Sequence, residues 1–123
     1  MKTRILLFLT LCAMAAKAQN IYVSGYQSGV WDTDTVFVTG DVLVQDSLRI
    51  VAGTTVLFTD FYSINVEKNA SLNALGLASD SILFTVADTT GFHIFNSGRG
   101  GWNGIRLDKA GNSRFEYCRF QWQ

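Results

Sequence analysis

Four charged side chains near the end of the chain have the types and spacing of a binding site. Arg106 lies in one predicted strand, Asp108 begins the turn after it, and Glu116 and Arg119 lie in the next predicted strand. Carboxylates bind cations, and a guanidinium group binds carboxylates through paired hydrogen bonds. The favoured alternative is an outward row of ion pairs, so no catalytic residue and no metal ligand is assigned. We retain Arg106, Glu116 and Arg119 as predicted ligand-binding residues.

Aromatic side chains form a second candidate for binding. Phe92 and Phe95 lie between two glycine-containing stretches, and Trp102 follows the second of them. Protruding loops often carry binding residues, and an aromatic ring offers a flat apolar face to a sugar ring. We therefore predict that Phe92 and Trp102 bind a ligand. The favoured alternative for Trp102 is that its indole anchors the base of the loop. His93 has no visible nucleophile as a partner.

Cysteine and acidic residues give little support for metal or redox chemistry. Once Cys12 leaves with the N-terminal segment, Cys118 is the single remaining cysteine, so an intramolecular disulfide and a multi-cysteine metal site are excluded. We expect Cys118 to act as a small buried hydrophobic residue. The sequence 32–34 resembles the start of a calcium loop, but the glycine and the closing glutamate are missing. No cofactor is predicted from these residues.

Residues 1–18 have the features of a secretory signal peptide. They comprise a positively charged start, an apolar run too short to span a bilayer, and a small-residue cleavage motif. We expect cleavage between Ala18 and Gln19. The protein is therefore predicted to be exported, to the extracellular space or the bacterial cell surface, with no membrane span after signal removal.

The charge balance bears on possible partners. The whole chain has 10 basic and 10 acidic side chains. Signal removal takes away Lys2, Arg4 and Lys17, which leaves a mildly acidic protein. Such a protein has no basic field that would attract nucleic acid or anionic lipid. We predict no nucleic-acid partner.

Short strands must position these residues, because apolar side chains alternate with polar ones between Val42 and Phe84. Alternation at a period of two indicates a strand with one buried face. Gly, Asn and Asp separate the alternating pairs, which favours tight corners over helix. The predicted inward pairs are Val42/Val44, Leu48/Ile50, Val56/Phe58, Ile64/Val66, Leu72/Ala74 and Ile82/Phe84.

The strands recur as a unit of three. Equivalent positions lie 22, 24 and 26 residues apart in the pairs Val42 and Ile64, Leu48 and Leu72, and Val56 and Ile82. Such a repeat is typical of a parallel β-solenoid, in which each circuit stacks on the preceding one. Arg49, Asn65 and Asn73 are predicted to face outward. A β-sandwich is disfavoured because the corner between Val44 and Leu48 is short.

This pattern divides the chain into three predicted regions. Residues 1–18 form the signal peptide, residues 19–40 an N-terminal cap region, and residues 41–123 the coils, with an inserted loop at 87–103. The last strand begins a further circuit, so we expect a fragment truncated at the C-terminus. An open sheet edge is expected near Phe115–Phe120.

Several of these motifs resemble those of secreted bacterial right-handed parallel β-helix proteins of the pectate-lyase-like type. The resemblance lies in residues 34–42, 48–56, 81–85, 100–105 and 115–118. It implies an all-β, right-handed parallel β-helix with an N-terminal cap and about two to three coils. Members of the family often end in a C-terminal sorting domain, and we expect the truncation to have removed that domain together with further coils.

The resemblance leaves two expectations about function. The first is an exported β-helix at the cell surface or outside the cell, non-catalytic in the part present, with a structural or glycan-binding role. Its expected partners are a polysaccharide and the missing C-terminal coils of the same chain. The alternative is a fragment of a polysaccharide lyase or glycoside hydrolase, and calcium is an expected cofactor only for the lyase. Glycoside hydrolysis needs two facing carboxylates, and the acidic spacing shows no such pair.

Overall fold

The computed structural model describes residues 20–87 and 101–122, and within them every regular element is a β-strand. The predicted cleavage site and Phe92 lie outside the described residues. The strands are β1 (Ile21–Tyr26), β2 (Gly29–Trp31), β3 (Thr35–Val44), β4 (Ser47–Ile50), β5 (Thr55–Phe58), β6 (Ile64–Val66), β7 (Ser71–Leu75), β8 (Ile82–Val86), β9 (Ile105–Leu107), β10 (Arg114–Glu116) and β11 (Cys118–Phe120).

The strands form two curled sheets, and within each sheet every pair of neighbouring strands is parallel. The seven-stranded sheet has the order β11-β8-β5-β3-β6-β9, with β1 also paired to β3. The four-stranded sheet has the order β10-β7-β4-β2. This arrangement confirms the all-β, parallel character predicted from the sequence and is consistent with a β-solenoid.

The chain passes repeatedly from one sheet to the other, and each pass stacks on the one before. We call these passes layers: β1 with β2, β3 with β4, β5 to β7, and β8 to β10, with β11 starting the next. Strand β3 spans a corner, since Val36–Val38 pairs with β5 and Val42–Val44 pairs with β6. The strands between residues 20 and 40 thus belong to the same two sheets as the later ones.

Two of the three predicted register pairs are confirmed. Val42 lies opposite Ile64, and Leu48 lies opposite Leu72. In each pair the side chains are fully buried, because inward positions of successive layers stack in columns.

The third predicted pair is wrong by two residues. Val56 lies opposite Phe84, and not opposite Ile82. The inward position level with Ile82 is held by Thr54, which is completely buried. Its hydroxyl donates to the Thr33 carbonyl oxygen at 3.2 Å, which offsets the cost of burying a polar group. In the sequence, a threonine at this position is typical of a corner between strands. Thr54 was therefore not predicted to be the inward residue that precedes β5.

The core lies between the two sheets and is filled by the inward columns. Trp31 closes its first layer and is buried, above Ile50 in the next layer. The outward positions of the four-stranded sheet form a polar column of Arg49, Asn73 and Arg114. This alternation places apolar side chains inside and leaves the outer surface for binding.

Candidate functional site

A polar groove runs along the outside of β6 and β9. Its cavity has a volume of about 370 Å³ and is lined by Ser63, Asn65, Asn103, Ile105, Arg106 and Leu107. We call this feature the polar groove. Of the predicted site residues, it contains Arg106.

Strand register brings the two halves of the polar groove together. Ile64 lies opposite Ile105, and Asn65 lies opposite Arg106. Because Ile64 points into the core and is fully buried, Asn65 must point outward beside Arg106. The backbone N–H of Ile64 also donates to the Gly104 carbonyl oxygen at 3.1 Å. Gly104 has a φ of 89°, a conformation that a glycine adopts without strain, and it leads the chain into β9.

A chain of hydrogen bonds fixes the polar side chains of the groove. The Asp41 carboxylate accepts from the Ser63 backbone N–H at 3.0 Å and from the Ser63 hydroxyl at 3.4 Å. The Asn65 amide nitrogen donates to the Ser63 hydroxyl at 3.1 Å. These bonds orient Ser63 and Asn65 before any ligand arrives, which lowers the entropic cost of binding.

The exposed guanidinium of Arg106 supplies the positive charge of the groove. Among the described residues, Arg106 makes no hydrogen bond or ion pair. A guanidinium group donates paired hydrogen bonds to a carboxylate, while Asn65 and Ser63 offer amide and hydroxyl groups. None of the described residues that line the polar groove carries a carboxylate side chain. This combination of groups is suited to a sugar that carries a negative charge.

An aromatic turn flanks the polar groove. Phe61 is exposed and lies two residues before Ser63. The turn is tied to the groove because the Asn103 backbone N–H donates to the Tyr62 carbonyl oxygen at 2.7 Å. Phe61 is therefore an exposed aromatic side chain in the turn that leads into the groove.

The predicted site residue Trp102 lies in the core. Its side chain is only 1% exposed, and the indole stacks on Phe58 with a centroid distance of 4.5 Å. The indole N–H donates to the Gln121 carbonyl oxygen at 2.6 Å. This position favours the alternative that Trp102 anchors the chain. Its ligand-binding role stays a prediction.

The charged residues that were predicted to cluster lie on strands that do not pair with each other. Arg106, Glu116 and Arg119 lie on β9, β10 and β11, and no two of these strands pair with each other. Glu116 forms an ion pair with Arg114 on its own strand. Arg119 is exposed on β11, opposite Leu83 of β8. Of these three residues, only Arg106 lines the polar groove.

The described residues include few side chains suited to metal binding or to thiol chemistry. In residues 20–87 and 101–122, no group of three or more His, Cys, Asp or Glu side chains could hold a metal ion. Cys118 is half-buried, with its sulfur 3.4 Å from the Ala74 carbonyl oxygen. Burial raises the pKa of the Cys118 thiol, so the thiol stays protonated at neutral pH. A nucleophilic role for this residue is not favoured.

Sequence reasoning missed Asp41, Ser63 and Asn103. Each lies at a corner, where polar residues are common and carry no signal of function. Asn65 was predicted to face outward. Its contact with Arg106 was not predicted, because Arg106 follows the interruption of the repeat at residues 87–103. Only the strand register shows that the two residues are adjacent.

No protein-family model, curated protein or solved structure matches this chain. The candidate site therefore rests on its own geometry. In the described part of the chain, no helix is long and apolar enough to cross a membrane.

Proposed function

We propose that the protein is an exported, right-handed parallel β-helix of the pectate-lyase-like type that binds an acidic polysaccharide. Its place of action is the bacterial cell surface or the extracellular space. The described part acts as a rigid, non-catalytic scaffold, and the polar groove is its binding site.

Several observations support the architectural part of the proposal. All pairings between strands are parallel, and the chain returns to the same sheet after each layer. Crossover connections between parallel strands are right-handed in about 98% of cases, so a right-handed path is the expected one. Export is supported by the signal-like sequence of residues 1–18.

The pairing of Arg106 with Asn65 across β9 and β6 carries the binding proposal. A uronic acid offers a carboxylate for the guanidinium and ring hydroxyls for Asn65 and Ser63. A hydrogen bond to a charged group contributes about 1.5–3 kcal/mol. Loss of Arg106 is therefore expected to weaken binding at least about tenfold.

The proposal is tested by titrating the protein with polygalacturonate oligomers in a calorimeter. Arg106→Ala should weaken binding at least about tenfold, and Asn65→Ala by a smaller factor. Arg49→Ala is the matched control, because Arg49 is also an exposed outward arginine but lies on β4 in the other sheet. Equal losses for Arg49→Ala and Arg106→Ala, or equal binding of a neutral polymer, would overturn the proposal.

The enzymatic alternative gains no support from the polar groove. Glycoside hydrolysis uses a pair of carboxyl groups that face the scissile bond. The nearest carboxylate in the hydrogen-bond chain, Asp41, is held by Ser63 outside the groove lining. No specific observation therefore favours a lyase or hydrolase as a second proposal.

A further inference from the structure

A continuous column of outward side chains extends from the polar groove across the neighbouring strands. Asn65 of β6 lies opposite Arg106 of β9 on one side and opposite Leu43 of β3 on the other. Leu43 in turn lies opposite Tyr26 of β1. Because strands stacked in register hold the side chains of one face in line, these four residues form one column. We call it the groove column.

Tyr26 adds an exposed aromatic ring to the groove column. The preceding residue, Gly25, lies opposite Val42, whose side chain is fully buried. Successive side chains of a strand point to opposite faces, so Tyr26 and Leu43 point away from the core. The Tyr26 side chain is 66% exposed, and neither Tyr26 nor Leu43 belongs to the lining of the polar groove. The groove column therefore reaches beyond the groove itself.

The two ends of the groove column differ in chemistry. Arg106 places a guanidinium group at one end, and the uncharged phenol ring of Tyr26 lies at the other. Two carboxylates lie between the ends, on Asp41 of β3 and on Glu67, which directly follows β6. Like charges repel, so the Tyr26 end disfavours a second acidic group. An aromatic ring instead packs its flat apolar face against the face of a sugar ring.

The length of the groove column determines the size of the ligand that spans it. Adjacent strands are about 4.8 Å apart, so the backbone at Tyr26 lies about 14 Å from that at Arg106, three strands away. One sugar ring is shorter than this span, whereas a chain of several rings covers it. A ligand that contacts both ends must therefore run across the strands, along the direction in which the layers stack.

We propose that Tyr26 forms an aromatic subsite of the polar groove, so that the protein binds an acidic oligosaccharide of several sugars in preference to a shorter one. The sugar chain crosses β9, β6, β3 and β1, with a carboxylate on Arg106 and a ring face on Tyr26. The subsite rests on the proposed function, and it adds a direction and a minimum length of the ligand.

Calorimetric titration of the full chain, purified from an exporting host, with the disaccharide and the hexasaccharide of galacturonate tests the subsite. Tyr26→Ala should weaken binding of the hexasaccharide about three- to tenfold, because it removes the stacking surface. Binding of the disaccharide should be unchanged, because a disaccharide held by Arg106 is too short to reach Tyr26. Arg106→Ala should weaken binding of both saccharides. Tyr26→Phe should bind both like the unaltered protein, because the ring and not the hydroxyl makes the contact.

Tyr22→Ala is the matched control. Tyr22 lies on the same strand as Tyr26 and is 70% exposed, but its ring stacks on Phe37 with a centroid distance of 4.8 Å. Phe37 belongs to the part of β3 that pairs with β5, before the corner, so Tyr22 lies outside the groove column. Tyr22→Ala should therefore leave the affinity for both saccharides unchanged.

Three results would overturn the subsite. They are hexasaccharide binding that Tyr26→Ala leaves unchanged, an equal loss in Tyr22→Ala, and a loss in Tyr26→Ala that is the same for both saccharides. Binding that depends on Arg106 but not on Tyr26 overturns the subsite alone. Absence of binding to either saccharide overturns the proposed function as well.

Circular dichroism checks the fold of each variant. If Tyr26→Ala unfolds the protein, Leu43→Asp replaces it with the same expected result. Its carboxylate would repel an acidic chain in the middle of the groove column, beyond the reach of the disaccharide.

Discussion

Gly76 shows how one residue limits the packing of neighbouring layers. It follows β7, and its N–H donates to the Glu116 carbonyl oxygen at 2.8 Å. A Cβ atom at this position would lie 2.6 Å from the Tyr117 carbonyl oxygen, closer than such atoms approach. Tyr117 has a φ of 50°, so the backbone there is already in an unusual conformation. Only glycine fits this contact without a shift of the backbone.

Gly76→Ala is therefore expected to lower the free energy of unfolding by about 1–3 kcal/mol, because overpacking against backbone cannot be relieved by a rotamer change. Urea denaturation followed by circular dichroism measures the change. Gly111→Ala is the control, since a Cβ at Gly111 meets no atom within 4 Å. Equal midpoints for the two variants would contradict the assigned contact.

At the residue scale the sequence predicted inward and outward positions well, because alternation reflects burial directly. The buried columns at Val42 and Leu48 were predicted correctly. Thr54 was missed, because its burial depends on a hydrogen bond to Thr33 that no sequence pattern shows. For Trp102, an anchoring position was the favoured alternative to ligand binding, and the buried indole is consistent with it.

At the scale of strands, the number of neighbours differs between the middle and the ends of the stack. In the described residues, the six strands from β3 to β8 pair on both sides, whereas β1, β2, β9, β10 and β11 pair on one side. Amide exchange requires opening of these hydrogen bonds, and opening needs less free energy where fewer contacts hold a strand.

Hydrogen exchange should therefore be slowest for the amides of β3 to β8 and fastest for the amides of β1, β2, β9, β10 and β11. Mass spectrometry of peptides from a time course of deuteration measures this order. Faster exchange in β5 than in β11 would contradict the strand order.

The strand scale also shows why the candidate site was only partly predictable. The register of β4 and β7 was predicted correctly from the sequence, because the circuits that contain these strands have similar lengths. The interruption at 87–103 makes the next circuit longer, so counting could not place Arg106 beside Asn65. Arg106 was identified by its chemistry, whereas its neighbours depended on the length of an irregular segment.

At the scale of the whole molecule, the parallel register is the claim on which the others depend. It forms the polar groove by aligning β6 with β9, and it stacks the inward side chains of successive layers in columns. The sequence predicted the layered architecture because short alternating strands and tight corners are local features.

Disulfide trapping between β5 and β8 tests this register most directly, because the structure and the sequence spacing differ there by two residues. Leu57 lies opposite Thr85, and both side chains face outward and are partly exposed. Facing residues of adjacent strands are about 4.8 Å apart. A two-residue offset gives about 8 Å, beyond the roughly 7 Å limit for a disulfide.

In a chain that begins at Gln19 and carries Cys118→Ala, the pair Leu57→Cys and Thr85→Cys should form a disulfide under mild oxidation. The pair Leu57→Cys and Leu83→Cys should stay reduced. Thiol counting by mass spectrometry measures both outcomes. Efficient bridging of residues 57 and 83, with none between residues 57 and 85, would contradict the register and the site built on it.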